Sequence, residues 1–121
     1  KKTTPVKTTL MLLMEHDQQV HLAKRPNSGI WGGLYCFPEF KDKDAMNSWL
    51  DSQGIGGVLK KLEPLRHTFS HYHLDITPYH LSLAQPLTSL IMEPQQTIWY
   101  DLARPQQVGL AAVTQSLLKQ L

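Results

Sequence analysis

The sequence predicts an α+β fold, a mixed β-sheet packed with a middle helix and a C-terminal helix. Three observations carry this. The run LMLLM at Leu10–Met14 is apolar on both alternations, as a strand buried on both faces must be. Ala45, Met46, Trp49 and Leu50 recur at helical spacing in the middle of the chain, and Val113, Leu117 and Leu121 do so at its end. Strands first, then one helix, more strands and a last helix require a sheet with helices laid against it.

Composition bounds what such a domain does. The 121 residues suit one domain, and 41% hydrophobic with 18% charged content is that of an ordinary globular protein. A formal charge of +2 excludes a non-specific DNA coat, so any nucleic-acid contact is local or assisted. The single cysteine, Cys36, excludes an internal disulfide framework, a zinc ribbon, and an iron–sulfur cluster held by four cysteines of this chain. It also fits a reducing compartment. The longest apolar run falls far short of the roughly 20 residues of a membrane span, and no small-residue cleavage site follows it. The opening KKTTP, without Met, reads as a linker, giving residues 1–8 as linker from a preceding domain and residues 9–121 as the domain itself.

The elements follow in order. VKTTLMLLME is the first strand, Glu15–Gln18 a polar break, and QVHLAKR a second strand alternating Val20 and Leu22 against His21 and Ala23, so the two form a hairpin. RPNSGIWGG, from Arg25, is a loop whose Pro26, Asn27, Ser28, Gly29, Gly32 and Gly33 supply turn geometry. A short strand LYCF ends at Pro38. Asp44 is placed to cap the middle helix, which ends near Gly54. VLKKLEPL, the His-rich RHTFSHYHLDI (Arg66–Ile76) and TIWYDL (Thr97–Leu102) supply further strands.

This order, with WGGLYCFP before the middle helix, resembles the Nudix hydrolase fold. In that family a strand ending in Phe-Pro-Gly-Gly leads into a helix with Arg-Glu and Glu-Glu pairs, whose carboxylates hold magnesium on a diphosphate. Here EFKDKDAMNSWLDSQGI follows Pro38. Glu39 and Phe40 stand where the glycines would be, and the helix offers Asp51 near its end without either pair. Asp42 and Asp44 suit a solvated loop and an N-cap. The resemblance therefore implies a Nudix-like domain that has lost hydrolysis.

A narrower resemblance rests on KRPNSGIWGGLYCFPEF, RHTFSHYHLDI, WYDLARPQQVGLAA and LLKQL, which together look like the C-terminal domain of bacterial MutY-type adenine DNA glycosylases, from about Thr9 to Leu121. It implies recognition of 8-oxoguanine mispaired with adenine, while catalytic carboxylates, helix-hairpin-helix and 4Fe-4S cluster belong to an N-terminal domain. No cofactor is expected in this chain and no catalytic residue. The implied partners are double-stranded DNA with 8-oxoguanine opposite adenine and the catalytic domain of the same polypeptide, with no membrane and a bacterial cytoplasmic, nucleoid-associated location.

The His-rich stretch is where this bears on chemistry. As one straight strand, Thr68, Ser70, Tyr72, Leu74 and Ile76 would share a face and Phe69 would fall among His67, His71, His73 and Asp75. That places a serine on the core side and a phenylalanine on the polar side, so the strand is expected to break at Phe69–Ser70–His71 and resume near Tyr72. The resemblance makes this triplet the loop that meets 8-oxoguanine. Where guanine has an acceptor at N7, the lesion has a donor N7–H and an added acceptor at O8. Ser70 Oγ can donate or accept, so on its own it discriminates poorly. A backbone carbonyl of that loop facing N7 would discriminate sharply, in a contact worth about 1–3 kcal/mol. Phe69 is expected to wedge beside the lesion or only to pack the loop down. His71 either reaches a base edge or phosphate, or has no ligand.

Other readings stay open. His67, His71 and His73, with His80, resemble metal-ligand spacing, but no second cysteine accompanies them. His73 and Asp75 suit bonds to neighbouring strands. Arg25, with Lys24, is either a phosphate contact or solvated, and Ser28 and Gly29 could offer backbone N–H groups beside it. Lys60, Lys61 and Arg66 form the densest basic patch, expected near the lesion loop. Trp31, Trp49 and Trp99 read as core anchors and Cys36 as a small buried hydrophobe. Two rivals to the lesion reader are a divergent Nudix hydrolase of an oxidised nucleotide and a clamp between domains that reads nothing.

Overall fold

A computed structural model describes residues 3–85 and 96–121. The described residues form β1 (Val6–His16), β2 (Gln19–Lys24), β3 (Tyr35–Cys36), β4 (Glu39–Phe40), α1 (Lys43–Ser52), β5 (Leu59–Lys61), β6 (Leu65–Thr68), β7 (His73–Ser82), β8 (Thr97–Asp101) and α2 (Ala112–Leu118). The sheet is mixed, and β1 is its spine. It runs parallel to β7 from Val6 opposite His73 to Glu15 opposite Ser82. The ladder takes in Val6–Thr8, three residues inside the expected linker; Lys1 and Lys2 lie outside the described residues.

Met11, Leu12, Leu13 and Met14 are all fully buried. Alternation sends Met11 and Leu13 to a core with Val113 and Leu117 of α2, and Leu12 and Met14 to a second core with Met46 and Leu50 of α1. The expected two-faced strand is thus borne out, with one helix on each face. Burial of each such side chain contributes about 1.5–3 kcal/mol.

The β1–β2 hairpin closes through Asp17 and Gln18, with φ of 49° and 64°, the left-handed pair that a tight type I′ reversal demands. The two strands pair only at Glu15–Val20 and His16–Gln19, then splay. β3 fills the gap on β2 and β4 fills it on β1. The splay fixes both ends of the 25–34 loop. On its other edge β7 takes β6 against His73–Ile76 and β5 against Tyr79–Leu81. Pro78, which has no N–H to give, falls between the two partners.

Several expectations change. The N-cap of α1 is Asp42, whose Oδ1 accepts from the Ala45 N–H at 2.8 Å; Asp44 sits in the first turn. The C-terminus is as expected: Gly54 (φ 68°) donates to Asp51 O and Ile55 to Leu50 O, a Schellman closure. α2 ends at Leu118, so Leu121 lies beyond it and is 38% exposed. Trp31, Trp49 and Trp99 are half-buried at the rims of the two cores instead of anchoring them. Cys36 is buried as expected, and burial pushes its thiol pKa up.

Candidate nucleic-acid interface

The His-rich stretch folds as an antiparallel hairpin. β6 ends at Thr68, β7 begins at His73, and the Phe69 N–H donates to Tyr72 O at 2.8 Å. The expected break is therefore a reversal, with Ser70 and His71 exposed at its tip. A reversal over two residues changes the phase of the alternation. Leu65 opposes Ile76 and His67 opposes Leu74, so Phe69 meets Tyr72 on the same, apolar face. This resolves the misplaced phenylalanine of the straight-strand reading.

Four rings gather behind the tip. Phe69 lies 5.0 Å from Tyr72, 4.6 Å from His67 and 5.3 Å from Trp31, and Trp31 meets His67 edge-on at 5.2 Å. Trp31 comes from the Gly-rich loop, which is pinched at its neck by Arg25 N–H to Leu34 O (2.8 Å) and Gly33 N–H to Arg25 O (3.2 Å). Trp31 takes the left-handed backbone, φ 53°. Next to it Gly32 is forced: a Cβ there would stand 2.3 Å from the backbone O of Asn27. Ser28 and Gly29 are exposed at the loop's apex. The loop and hairpin, 31 residues apart or more in sequence, thus share one aromatic seat. Lys7, on the exposed start of β1, completes it with Nζ 4.4 Å from the Tyr72 ring centroid.

The basic residues are distributed differently from the expected patch. Arg66 forms a two-point ion pair with Asp75 across the hairpin, Nε to Oδ1 at 2.6 Å and Nη2 to Oδ2 at 3.0 Å. The guanidinium's hydrogen bonds hold the Asp75 carboxyl below its usual pKa and raise that of Arg66. Lys60 and Lys61 oppose His80 and Tyr79. Eight residues of extended strand, roughly 26 Å at 3.3 Å each, separate His80 from Tyr72. They do not flank the loop. Arg25 turns inward to pair with Glu39, whose other oxygen accepts from Thr9 Oγ1 at 3.2 Å. The Arg25 Nε is buried without a hydrogen-bond partner among the described residues.

The histidines are dispersed as well. His73 Nδ1 meets Thr68 Oγ1 at 2.9 Å, and His80 Nε2 meets Glu15 Oε1 at 2.7 Å. Cross-strand roles for His73 and Asp75 are as expected. Among the described residues no three His, Cys, Asp or Glu side chains are grouped to hold a metal ion. Glu39, in the place of a Nudix glycine, is held by Arg25 and Thr9, and α1 carries Asp44 and Asp51 on exposed positions. Among the described residues no helix is long and apolar enough to cross a membrane.

The NUDIX domain model matches residues 9–120. The chain belongs to that family. This NUDIX domain is also 32% identical over 120 residues to the adenine DNA glycosylase of Buchnera aphidicola subsp. Acyrthosiphon pisum (strain APS), covering 98% of this chain and 34% of the relative. It is 33% identical over 102 residues to that of the subspecies Baizongia pistaciae (strain Bp), covering 82% and 28%. The chain thus spans about a third of the length of the curated relatives it matches. The resemblance to adenine DNA glycosylases read from its motifs is borne out.

Among solved structures, the NUDIX domain is similar to the C-terminal domain of mouse MUTYH, seen in complex with human PCNA, with TM-score 0.73 and 18% identity over 93% of this chain and 84% of that one. The MutT NUDIX hydrolase of Burkholderia pseudomallei gives 0.77 and 16%, over 96% and 98%. These likenesses establish the fold. Within it, the sequence pointed to Phe69, Ser70 and His71, gave His67 only a possible metal role and Tyr72 only the restart of the strand, and did not connect Lys7 or Trp31 with the hairpin. The available signal was the phase change: His67 and Phe69 before the turn and Tyr72, Leu74 and Ile76 after it form one apolar row once two residues make the turn.

Proposed function

We propose that this NUDIX domain serves base-excision repair as the lesion reader of an adenine DNA glycosylase, recognising 8-oxoguanine opposite adenine. The observation that carries the reading is the exposed Ser70–His71 tip held on the ring cluster of Phe69, Trp31, His67 and Tyr72. A tip of this kind presents backbone carbonyls and a serine hydroxyl to a base edge, and the rings behind it keep Phe69 ready to wedge at a distorted step. The Ser70 carbonyl accepts from the N7–H that only the lesion has, and Ser70 Oγ serves O8.

Removal of adenine from a flipped-out nucleotide belongs to the remainder of the polypeptide, since the relatives named for that reaction are about three times as long as this chain. The partners are then duplex DNA bearing the lesion and the catalytic domain, in a bacterial cytoplasm at the nucleoid.

The test is an NMR titration with two duplexes identical except for 8-oxoguanine or guanine opposite adenine. Lesion-dependent shifts centred on Phe69–His71 are expected. Equal shifts with both duplexes would overturn the reading.

A further inference from the structure

The hairpin needs a cation to hold the DNA backbone, and Arg25, Lys60, Lys61 and Arg66 are committed or distant. Arg66 is spent on Asp75, Arg25 on Glu39, and Lys60 and Lys61 stand at the far end of β7. Lys7 is placed against the hairpin instead. We propose that Lys7 is a DNA phosphate contact that sets the hairpin's register on the duplex; as a contact beside the lesion it rests on the function proposed above.

Three features support it. First, Lys7 is held by the sheet: it opposes Leu74, and the His73 N–H donates to Pro5 O at 2.9 Å, so its Cα is fixed relative to the tip. Second, Lys7 shares the apolar face of β7, because its partner Leu74 packs in the α2-side core together with Phe69 and Tyr72. Third, Nζ sits over the Tyr72 ring at 4.4 Å, which aims the long side chain at the hairpin while leaving ammonium hydrogens for an outside acceptor. Among the described residues Lys7 makes no ion pair, so a phosphate displaces no carboxylate from it. A phosphodiester is the ligand class that suits a compact, exposed point charge beside a base-reading loop.

The experiment measures binding of the chain to 8-oxoguanine:adenine and guanine:adenine duplexes by fluorescence anisotropy across a salt series. One phosphate contact contributes about 0.9 to the slope of log K against log salt. Lys7→Gln is expected to flatten the slope by that amount, so the native chain loses about 3.5-fold more affinity than the variant between 50 and 200 mM salt. Lys7→Arg is expected to keep the native slope.

A native slope in Lys7→Gln, with lesion preference intact in the native chain, would overturn the Lys7 proposal and spare the lesion reading. A flattened slope in Lys7→Gln restored in Lys7→Arg, with no lesion preference in the native chain, would uphold Lys7 as a phosphate contact and overturn the lesion reading.

Discussion

Trp31 and Phe69 face each other from two different loops, with ring centroids 5.3 Å apart and planes tilted by 57°. The pair joins the Gly-rich loop to the hairpin, so each loop's position depends on the other. Offset aromatic pairs of this kind contribute about 0.5–1.5 kcal/mol beyond area burial. A double-mutant cycle with Trp31→Ala and Phe69→Ala, measured by urea unfolding, is expected to give a coupling energy in that range. Additive losses would mean the rings only neighbour each other.

Gly32 makes the same junction vulnerable from the backbone side. Gly32→Ala drives a Cβ into the Asn27 backbone and is expected to cost about 1–3 kcal/mol, with amide shifts spreading from residues 25–34 into Phe69. Gly56→Ala is the control. Its Cβ would meet nothing within 4 Å, so it should be neutral or stabilise by up to about 1 kcal/mol.

His21 gives the fold an acid-sensitive element. It is 1% exposed, packs edge-on against Trp99 at 5.7 Å, and neither ring nitrogen has a hydrogen-bond partner among the described residues. Burial lowers its pKa to about 4. The unfolded chain binds this proton near pH 6.5 and the folded chain only near 4, so stability is full above 6.5 and falls as the pH drops between the two values. Unfolding at pH 7.5 and 4.5 is expected to differ by about 2–3 kcal/mol from this group. His21→Leu should remove that part of the difference, and an unchanged acid loss in the variant would assign it elsewhere.

At α1, Asp42→Ala should cost about 1 kcal/mol by thermal or chemical unfolding, because it removes the bond to the Ala45 N–H. Asp44→Ala loses only a carboxylate near the helix N-terminus, about 0.3–1 kcal/mol. A larger loss at Asp44 would contradict the observed cap.

Arg66→Gln is expected to let the Asp75 carboxyl titrate at an ordinary aspartate pH, since the guanidinium's hydrogen bonds are what lower it. A carboxyl-detected NMR titration checks this. A still-depressed Asp75 would point to another cause.

What the sequence revealed follows from the range of each signal. Leu10–Met14 was readable because both alternations are apolar within one strand, and Gly54 because a helix stop is local. The cap was misplaced by two residues because Asp42 and Asp44 both have a suitable side chain and only backbone geometry separates them. The ring cluster was hidden by the two-residue turn, which shifts the phase between His67 and Tyr72. Lys60, Lys61 and Arg66 looked like one patch because they are close in sequence. β5 and β6, however, pair with opposite halves of β7, a fact of topology. Glu39 and Asp75, the partners that commit Arg25 and Arg66, likewise become visible only once strands are paired.

The parallel ladder between β1 and β7 also sets the order of assembly. Val6 and its partner His73 are roughly 67 residues apart, so this pairing closes a long loop before it is rewarded. During synthesis the LMLLM strand leaves the ribosome well ahead of the strand that covers its edge. Until β7 arrives, β1 offers other chains an apolar, hydrogen-bonding border. Folding of this domain is therefore expected to be slow for its size, with self-association during synthesis as its characteristic failure.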